Sequence, residues 1–112
     1  MKRKVYLLIT YFWVFAALSG FSAGNTAAQD RKQLERAKML ASQADEFYRQ
    51  KNYQEAINRY SQAIAIAPNY PYAHFSKGYA HYNLNQFDQA IQSMDVALKQ
   101  GYPAIEVYKV RW

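Results

Sequence analysis

This sequence predicts an all-α fold, an α-solenoid of antiparallel helix pairs preceded by an apolar N-terminal export helix. Three observations predict it. The first is a repeat: Tyr53-Gln54-Glu55-Ala56-Ile57 returns 34 residues later as Phe87-Asp88-Gln89-Ala90-Ile91. Ala44, Tyr48, Tyr60 and Ala63 return at the same offset as Gly78, Tyr82, Met94 and Ala97. A fixed period of this size marks stacked supersecondary units. The second is apolar residues recurring at steps of three and four, the spacing of one helical face. The third is punctuation, with Pro68, Pro71, Gly101 and Pro103 falling between those runs.

The chain begins with a leader. Lys2, Arg3 and Lys4 precede an apolar and aromatic run from Val5 to Leu18, broken only by Thr10, and small residues follow to Ala28. Charge, apolar core and small-residue cleavage site come in the order of a secretory signal. Residues 1–28 are therefore expected to be a signal peptide cut ahead of Gln29. The other reading is an uncleaved anchor, because residues 5–21 approach the ~20 apolar residues that a tilted span needs. In both cases the basic N-terminus holds to the cytoplasm and the remainder is exported, to the periplasm or the cell exterior, or tethered at the membrane.

The helices follow in order. Residues 29–36 extend a first helix, which Asp30 is placed to cap and which runs through Leu34, Ala37, Leu40, Ala41, Ala44 and Phe47. Gln50-Lys51-Asn52 reads as a tight turn. A second helix carries Ala56, Ile57, Tyr60, Ala63, Ile64 and Ala67 inward until Pro68, which has no amide to donate, stops it. Pro71 suits the first turn of a third helix, where the missing donor costs nothing. That helix runs to about Leu84, and Asn85-Gln86 makes the next turn. Asp88 favours the start of a fourth helix through the macrodipole. Gly101 ends it, and Pro103 opens a fifth.

Small residues show where helix backbones are expected to approach closely: Ala44, Ala56 and Ala63 in the first unit, Gly78, Ala90 and Ala97 in the second. Larger ones (Phe47, Tyr53, Tyr60, Phe87, Met94) sit between them, the alternation that lets layers interlock.

These residues resemble the tetratricopeptide repeat (TPR) family. Its pattern of Trp, Leu-Gly, Tyr, Ala, Phe and Pro slots is occupied in the first unit by Leu40, Gln43-Ala44, Phe47, Ala56, Tyr60 and Pro68. The second unit offers His74, Lys77-Gly78, His81, Ala90, Met94 and Tyr102, with Pro103 one place late. The resemblance divides the chain into repeat 1 at 37–70, repeat 2 at 71–104, and the start of a third or a capping helix at 105–112. In the third unit Tyr108 takes the Trp slot, whereas Trp112 falls where a small residue is wanted.

Such repeats are interaction scaffolds whose first helices line a concave groove. The matching positions are Lys38, Ala41, Ser42, Asp45 and Tyr48, then Tyr72, Phe75, Ser76, Tyr79, Tyr82 and Asn83. Tyr72, Phe75, Tyr79 and Tyr82 fall on one helix face. Tyrosine joins a large apolar body to a hydroxyl, which suits peptide recognition; the competing reading packs part of this stripe against the neighbouring unit. Some relatives clamp a C-terminal carboxylate with Lys, Asn and Arg. Their positions are Ala41, Asp45, Ser76, Glu106 and Val110 here, none of which matches, so a chaperone-tail clamp is not expected.

Composition narrows the rest. Residues 1–28 hold three of the 14 basic residues and none of the eight acidic ones, so the formal +6 drops to +3 beyond them. That is too little for the clustered basic stripe of a nucleic-acid binder. With no cysteine there is no disulfide or thiolate metal site. His74 and His81 share a face but occupy packing slots without a third ligand, which favours packing over metal. No paired carboxylates, phosphate loop or nucleophile–base set can be assembled, so no catalytic residue and no cofactor are expected. The run Arg31 to Lys38 reads as a solvated helix face.

The expectation is a non-enzymatic adaptor that binds a protein or peptide in a tyrosine-lined groove on the exported side of a membrane. The alternative is an assembly unit that oligomerises through the uncovered face around Val107, Val110 and Trp112, or a fragment of a longer repeat protein.

Overall fold

A computed structural model of the chain describes residues 27–110, and every described element is helical or a turn. The chain divides into two units, residues 1–32 and 33–112. Residues 1–26 of the expected leader, and Arg111 and Trp112, lie outside the described residues. Residues 27–32 are helical and exposed. Asp30 is therefore inside a helix rather than capping one: Ala27, Ala28 and Gln29 are good helix formers and carry the helix past it. No described helix is long and apolar enough to cross a membrane.

In the second unit the first helix, α1, covers residues 33–49. It is followed by α2 (Tyr53–Ile66), α3 (Pro71–Asn83), α4 (Phe87–Lys99) and a short α5 (Ala104–Tyr108). Pro71 occupies the first turn of α3, and Ala67, just before Pro68, is the C-cap of α2. Glu55 and Asp88 sit in the first turns of α2 and α4, where an acidic group complements the positive end of the dipole.

Three of the helices end by the same device. After α1, Asn52 N–H donates to the Phe47 carbonyl (2.9 Å) and Lys51 N–H to that of Tyr48 (2.9 Å). After α3 the same pair of bonds joins Gln86 to His81 (2.9 Å) and Asn85 to Tyr82 (3.0 Å); after α4 it joins Tyr102 to Ala97 (2.9 Å) and Gly101 to Leu98 (3.0 Å). This is the Schellman pattern, and it needs a left-handed residue at its hinge. Lys51 (φ 62°), Asn85 (φ 59°) and Gly101 (φ 95°) supply it. Lys51 and Asn85 are one repeat apart.

Packing follows the small residues. Ala37, Ala41 and Ala44 of α1, Ala56, Tyr60 and Ala63 of α2 and Ala73 of α3 form one buried cluster, with none above 1% exposed. Alanine on three helices brings the backbones close, and Tyr60 fills the space between them. The second cluster joins Met94 of α4 to Val107 and Val110. Ala90 and Ala97 are fully buried. At Gly78 an added Cβ would lie 2.9 Å from Met94 Cγ and 3.0 Å from the Ala90 carbonyl oxygen, so α3 and α4 meet almost backbone to backbone. Of the five larger residues expected between the small ones, only Tyr60 and Met94 are fully buried. Phe47 and Tyr53 are half-buried, and Phe87 is 45% exposed. These three stand at the edges of the layers, where a flat ring covers a seam without entering it. The Arg59 guanidinium lies 5.5 Å above the Phe47 ring.

Candidate functional site

Helices α1 and α3 flank an open hollow of about 240 Å³, lined by Asp45 and Tyr48 from α1, Tyr60 from α2, and Tyr72, Phe75, Ser76 and Tyr79 from α3. The lining from α3 recurs at steps of three and four because those residues lie on one side of the helix. Tyr60 (1% exposed) and Ser76 (9%) are the buried members of the lining, and Tyr72 reaches the surface at 38%.

Asp45 is the polar centre. The Tyr60 hydroxyl donates to its Oδ1, and the Tyr72 hydroxyl lies 2.9 and 3.0 Å from its two carboxylate oxygens. Both phenols are held protonated. Burial, followed by the bond to Asp45 and its charge, pushes Tyr72 up to about 12, and the same causes raise Tyr60 further. Tyr48 is also pushed up to about 12, chiefly by burial and then by Tyr79.

The rings form a continuous series. Tyr53 meets Tyr48 edge-on at 5.2 Å, Tyr48 meets Tyr79 at 5.9 Å, Tyr79 meets Phe75 at 6.0 Å, and Phe75 stacks on Tyr102 at 4.4 Å. The first three pairs lie at separations where tilted or edge-to-face arrangements add to simple burial, and the fourth is a closer stack. The hollow is thus held by aromatic contacts that reach from α2 to the loop beyond α4.

Not every expected groove position comes to this hollow. Lys38 is exposed and pairs with Glu35 at 3.6 Å on the outer face of α1. Ala41 is 1% exposed in the α1–α2–α3 cluster, its methyl serving helix contact, and Ser42 is exposed. Tyr82 packs edge-on against Phe87 at 5.7 Å and belongs to the α3–α4 seam. Asn83 acts as a brace at the rim: its amide donates to the Tyr48 hydroxyl and to the Tyr79 carbonyl, both at 2.8 Å. Tyr72, Phe75 and Tyr79 line the hollow, while Phe75, Tyr79 and Tyr82 also pack against the cluster of Met94, Val107 and Val110.

Tyr60 was missed as a lining residue, since its inward slot on the second helix reads as interior packing. The signal was available in the repeat, because the same slot in the second unit is Met94, which has no hydroxyl. A phenol in a buried slot needs an acceptor, and Asp45 is the acid near enough on the facing helix.

The histidines are engaged separately. His74 Nε2 lies 3.0 Å from the Pro68 carbonyl oxygen, and His81 Nδ1 lies 2.7 Å from Gln86 Oε1. Among the described residues no three His, Cys, Asp or Glu side chains are grouped to hold a metal ion. At the other clamp positions, Glu106 pairs with Lys109 at 3.0 Å and Val110 is buried.

Residues 44–85 match the family model of the TPR repeat. The chain is 34% identical over 58 residues to the Hsp70-Hsp90 organising protein of Plasmodium falciparum, a match covering 52% of this chain and 10% of that protein. It is 32% identical over 80 residues to Hsc70-interacting protein 1 of Drosophila melanogaster, covering 71% and 21% respectively. It is also 28% identical over 74 residues to small glutamine-rich tetratricopeptide repeat-containing protein 2 of Saccharomyces cerevisiae, covering 66% and 21%. The chain spans between 10% and 21% of the length of these relatives. Residues 44–85 thus resemble the TPR repeat family, and the matches to the relatives carry the likeness over 58 to 80 residues of this chain.

Proposed function

We propose that this chain is a non-enzymatic protein–protein interaction module that takes a peptide or protein segment into the hollow between α1 and α3. One observation carries the reading: an open, ring-lined cavity of about 240 Å³ with a single carboxylate, set on packed helices. Rigid aromatic walls offer large contact area at small entropic cost, the property that makes tyrosine a frequent anchor of interfaces. The relatives' names, an organising protein and an interacting protein, point to the same class of activity. Those names also mention Hsp70, Hsp90 and Hsc70. For this chain we propose no carboxylate-tail clamp, because the five positions hold Ala41, Asp45, Ser76, Glu106 and Val110. An acid at position 45 would repel a terminal carboxylate.

The test is selection of randomised peptides displayed on phage against the full chain, followed by Tyr72→Ala. Tyr72 is the most exposed of the lining rings, so its removal is expected to spare the fold. Binding lost at an unchanged melting temperature supports the hollow; binding that survives Tyr72→Ala refutes it.

The exported location remains part of the proposal and rests on Lys2 to Lys4 followed by the apolar run. Intact-mass analysis of the native protein should show residues 1–28 removed, or retained in a membrane fraction. A cytosolic full-length chain would contradict it.

A second reading, assembly between copies, has its own observation. A second hollow of about 200 Å³ lies between α4 and α5, lined by Ile91, Met94, Asp95, Leu98, Val107 and Tyr108. Ile91 is 54% exposed beside it, and Tyr108 is 76% exposed. Light scattering decides: a dimer disrupted by Ile91→Glu supports assembly, and a monomer at all concentrations counts against it.

A further inference from the structure

We propose that the hollow recognises a cationic side chain, a lysine or arginine of the partner segment, seated among the tyrosine rings with its charge on Asp45. This rests on the reading of the hollow as a peptide groove and adds the chemistry of what enters it.

The argument begins with the charge of Asp45. Two phenol hydroxyls donate to its carboxylate, from Tyr60 and Tyr72. They satisfy part of its hydrogen-bonding capacity, which extends to about four lone-pair positions on the two oxygens. They do not neutralise it. Among the described residues no salt bridge reaches Asp45; Arg49, one turn further along α1, feels its charge without making that contact. Arg49 is held by Glu46, Arg59 by Glu55 and Lys38 by Glu35. The carboxylate thus faces a ring-lined hollow as its one formal charge.

Three kinds of side chain could enter. An acidic one would meet Asp45 at short range, where like charges repel. An apolar one would fill the ring-lined space but strip water from the carboxylate without replacing it, and an unpaired charge is costly to desolvate. A cation gains twice. It pairs with Asp45, and it lies against the negative faces of Tyr48, Tyr72, Phe75 or Tyr79, an attraction that grows as water leaves.

The experiment uses the full chain in mild detergent and the displayed peptides described above. Sequences that bind should share one lysine or arginine position. A selected peptide is then made with that residue as lysine and as norleucine, which is of similar shape but uncharged. The norleucine form should bind about tenfold more weakly, the loss expected of one desolvated cation contact. On Asp45→Asn protein the two forms should bind alike. Should Asp45→Asn fail to fold, the lysine–norleucine comparison on the unchanged protein decides by itself. Peptides that need Tyr72 yet carry no basic residue, or that bind equally as norleucine, overturn the cation inference and leave the groove reading standing. Basic peptides that bind Tyr72→Ala undiminished are held outside the hollow and also overturn it. If no peptide binds, both ideas fall.

Discussion

Replacing Gly78 with alanine tests the close approach of α3 to α4. In the middle of a solvated helix this change is favourable, by roughly 0.5–1 kcal/mol, because glycine loses the most backbone entropy on folding. At Gly78 the new methyl would sit 2.9 Å from Met94 Cγ, 3.0 Å from the Ala90 carbonyl oxygen and 3.2 Å from Ser93 Cβ. The first neighbour is a mid-chain atom of a residue that is 2% exposed and packed against Val107 and Val110, so it has little room to retreat. The second is backbone and moves only if α4 moves. Overpacking of this kind costs about 1–3 kcal/mol, and backbone involvement puts this case in the upper part of that range. Subtracting the helix gain leaves a net loss of about 1–2 kcal/mol. In a thermal melt followed by circular dichroism that is a fall of roughly 5–15 °C, taking about 4–8 °C per kcal/mol for a domain of this size. An unchanged or higher melting temperature for Gly78→Ala would mean that α3 and α4 do not approach as described.

Other outcomes follow from the same structure. Lys51 occupies the left-handed hinge after α1, where a side chain costs about 1–2 kcal/mol, so Lys51→Gly should stabilise by about 0.5–1 kcal/mol after glycine's own entropy is charged. Gly101→Ala, with φ of 95° and open space around it, should destabilise by about 1 kcal/mol from backbone strain alone; denaturant midpoints of the two variants should move in opposite directions. Asp45→Ala removes the acceptor of the buried Tyr60 hydroxyl and should cost about 1–3 kcal/mol, part of which Tyr60→Phe in the same protein should restore; full additivity in this double-mutant cycle would argue that the two do not interact. Stability should also decline in alkali. Unfolded phenols ionise near 10.0, whereas burial pushes Tyr48 and Tyr72 to about 12. The fold therefore keeps protons that the unfolded chain gives up, and the stabilisation is complete below about pH 10 and is lost as pH rises towards 12. Urea melts across that range should show a shallower decline for Tyr72→Phe, and an equal decline would dismiss Tyr72 as a cause.

How much of this was readable beforehand varies by element. The turns were, because Pro68, Pro71 and Gly101 act through constraints carried by the single residue. The hinge role of Lys51 was not: lysine has no preference for positive φ, and only its alignment with Asn85 one repeat later marks the slot. Asp30 misled, since an acid ahead of an apolar run resembles a cap whenever the preceding residues tolerate a helix as well. Tyr60 was placed on the correct face but given only half its role, because periodicity locates a side chain's body and says nothing of where its hydroxyl ends.

What the amino-acid order determined on its own is periodic and local: paired helices, the turns between them, and which alanines and glycine face inward. These follow from a 34-residue repeat and from backbone constraints that act within a few residues. The tertiary structure alone decided which rings share a cavity and which close a seam, sending Tyr72 and Tyr79 to the hollow and Tyr82 to Phe87. It also joined Asp45 to Tyr60 and Tyr72 across 15 and 27 residues of chain. Contacts at that separation depend on the rotation and spacing of three helices at once, and no repeat period encodes those.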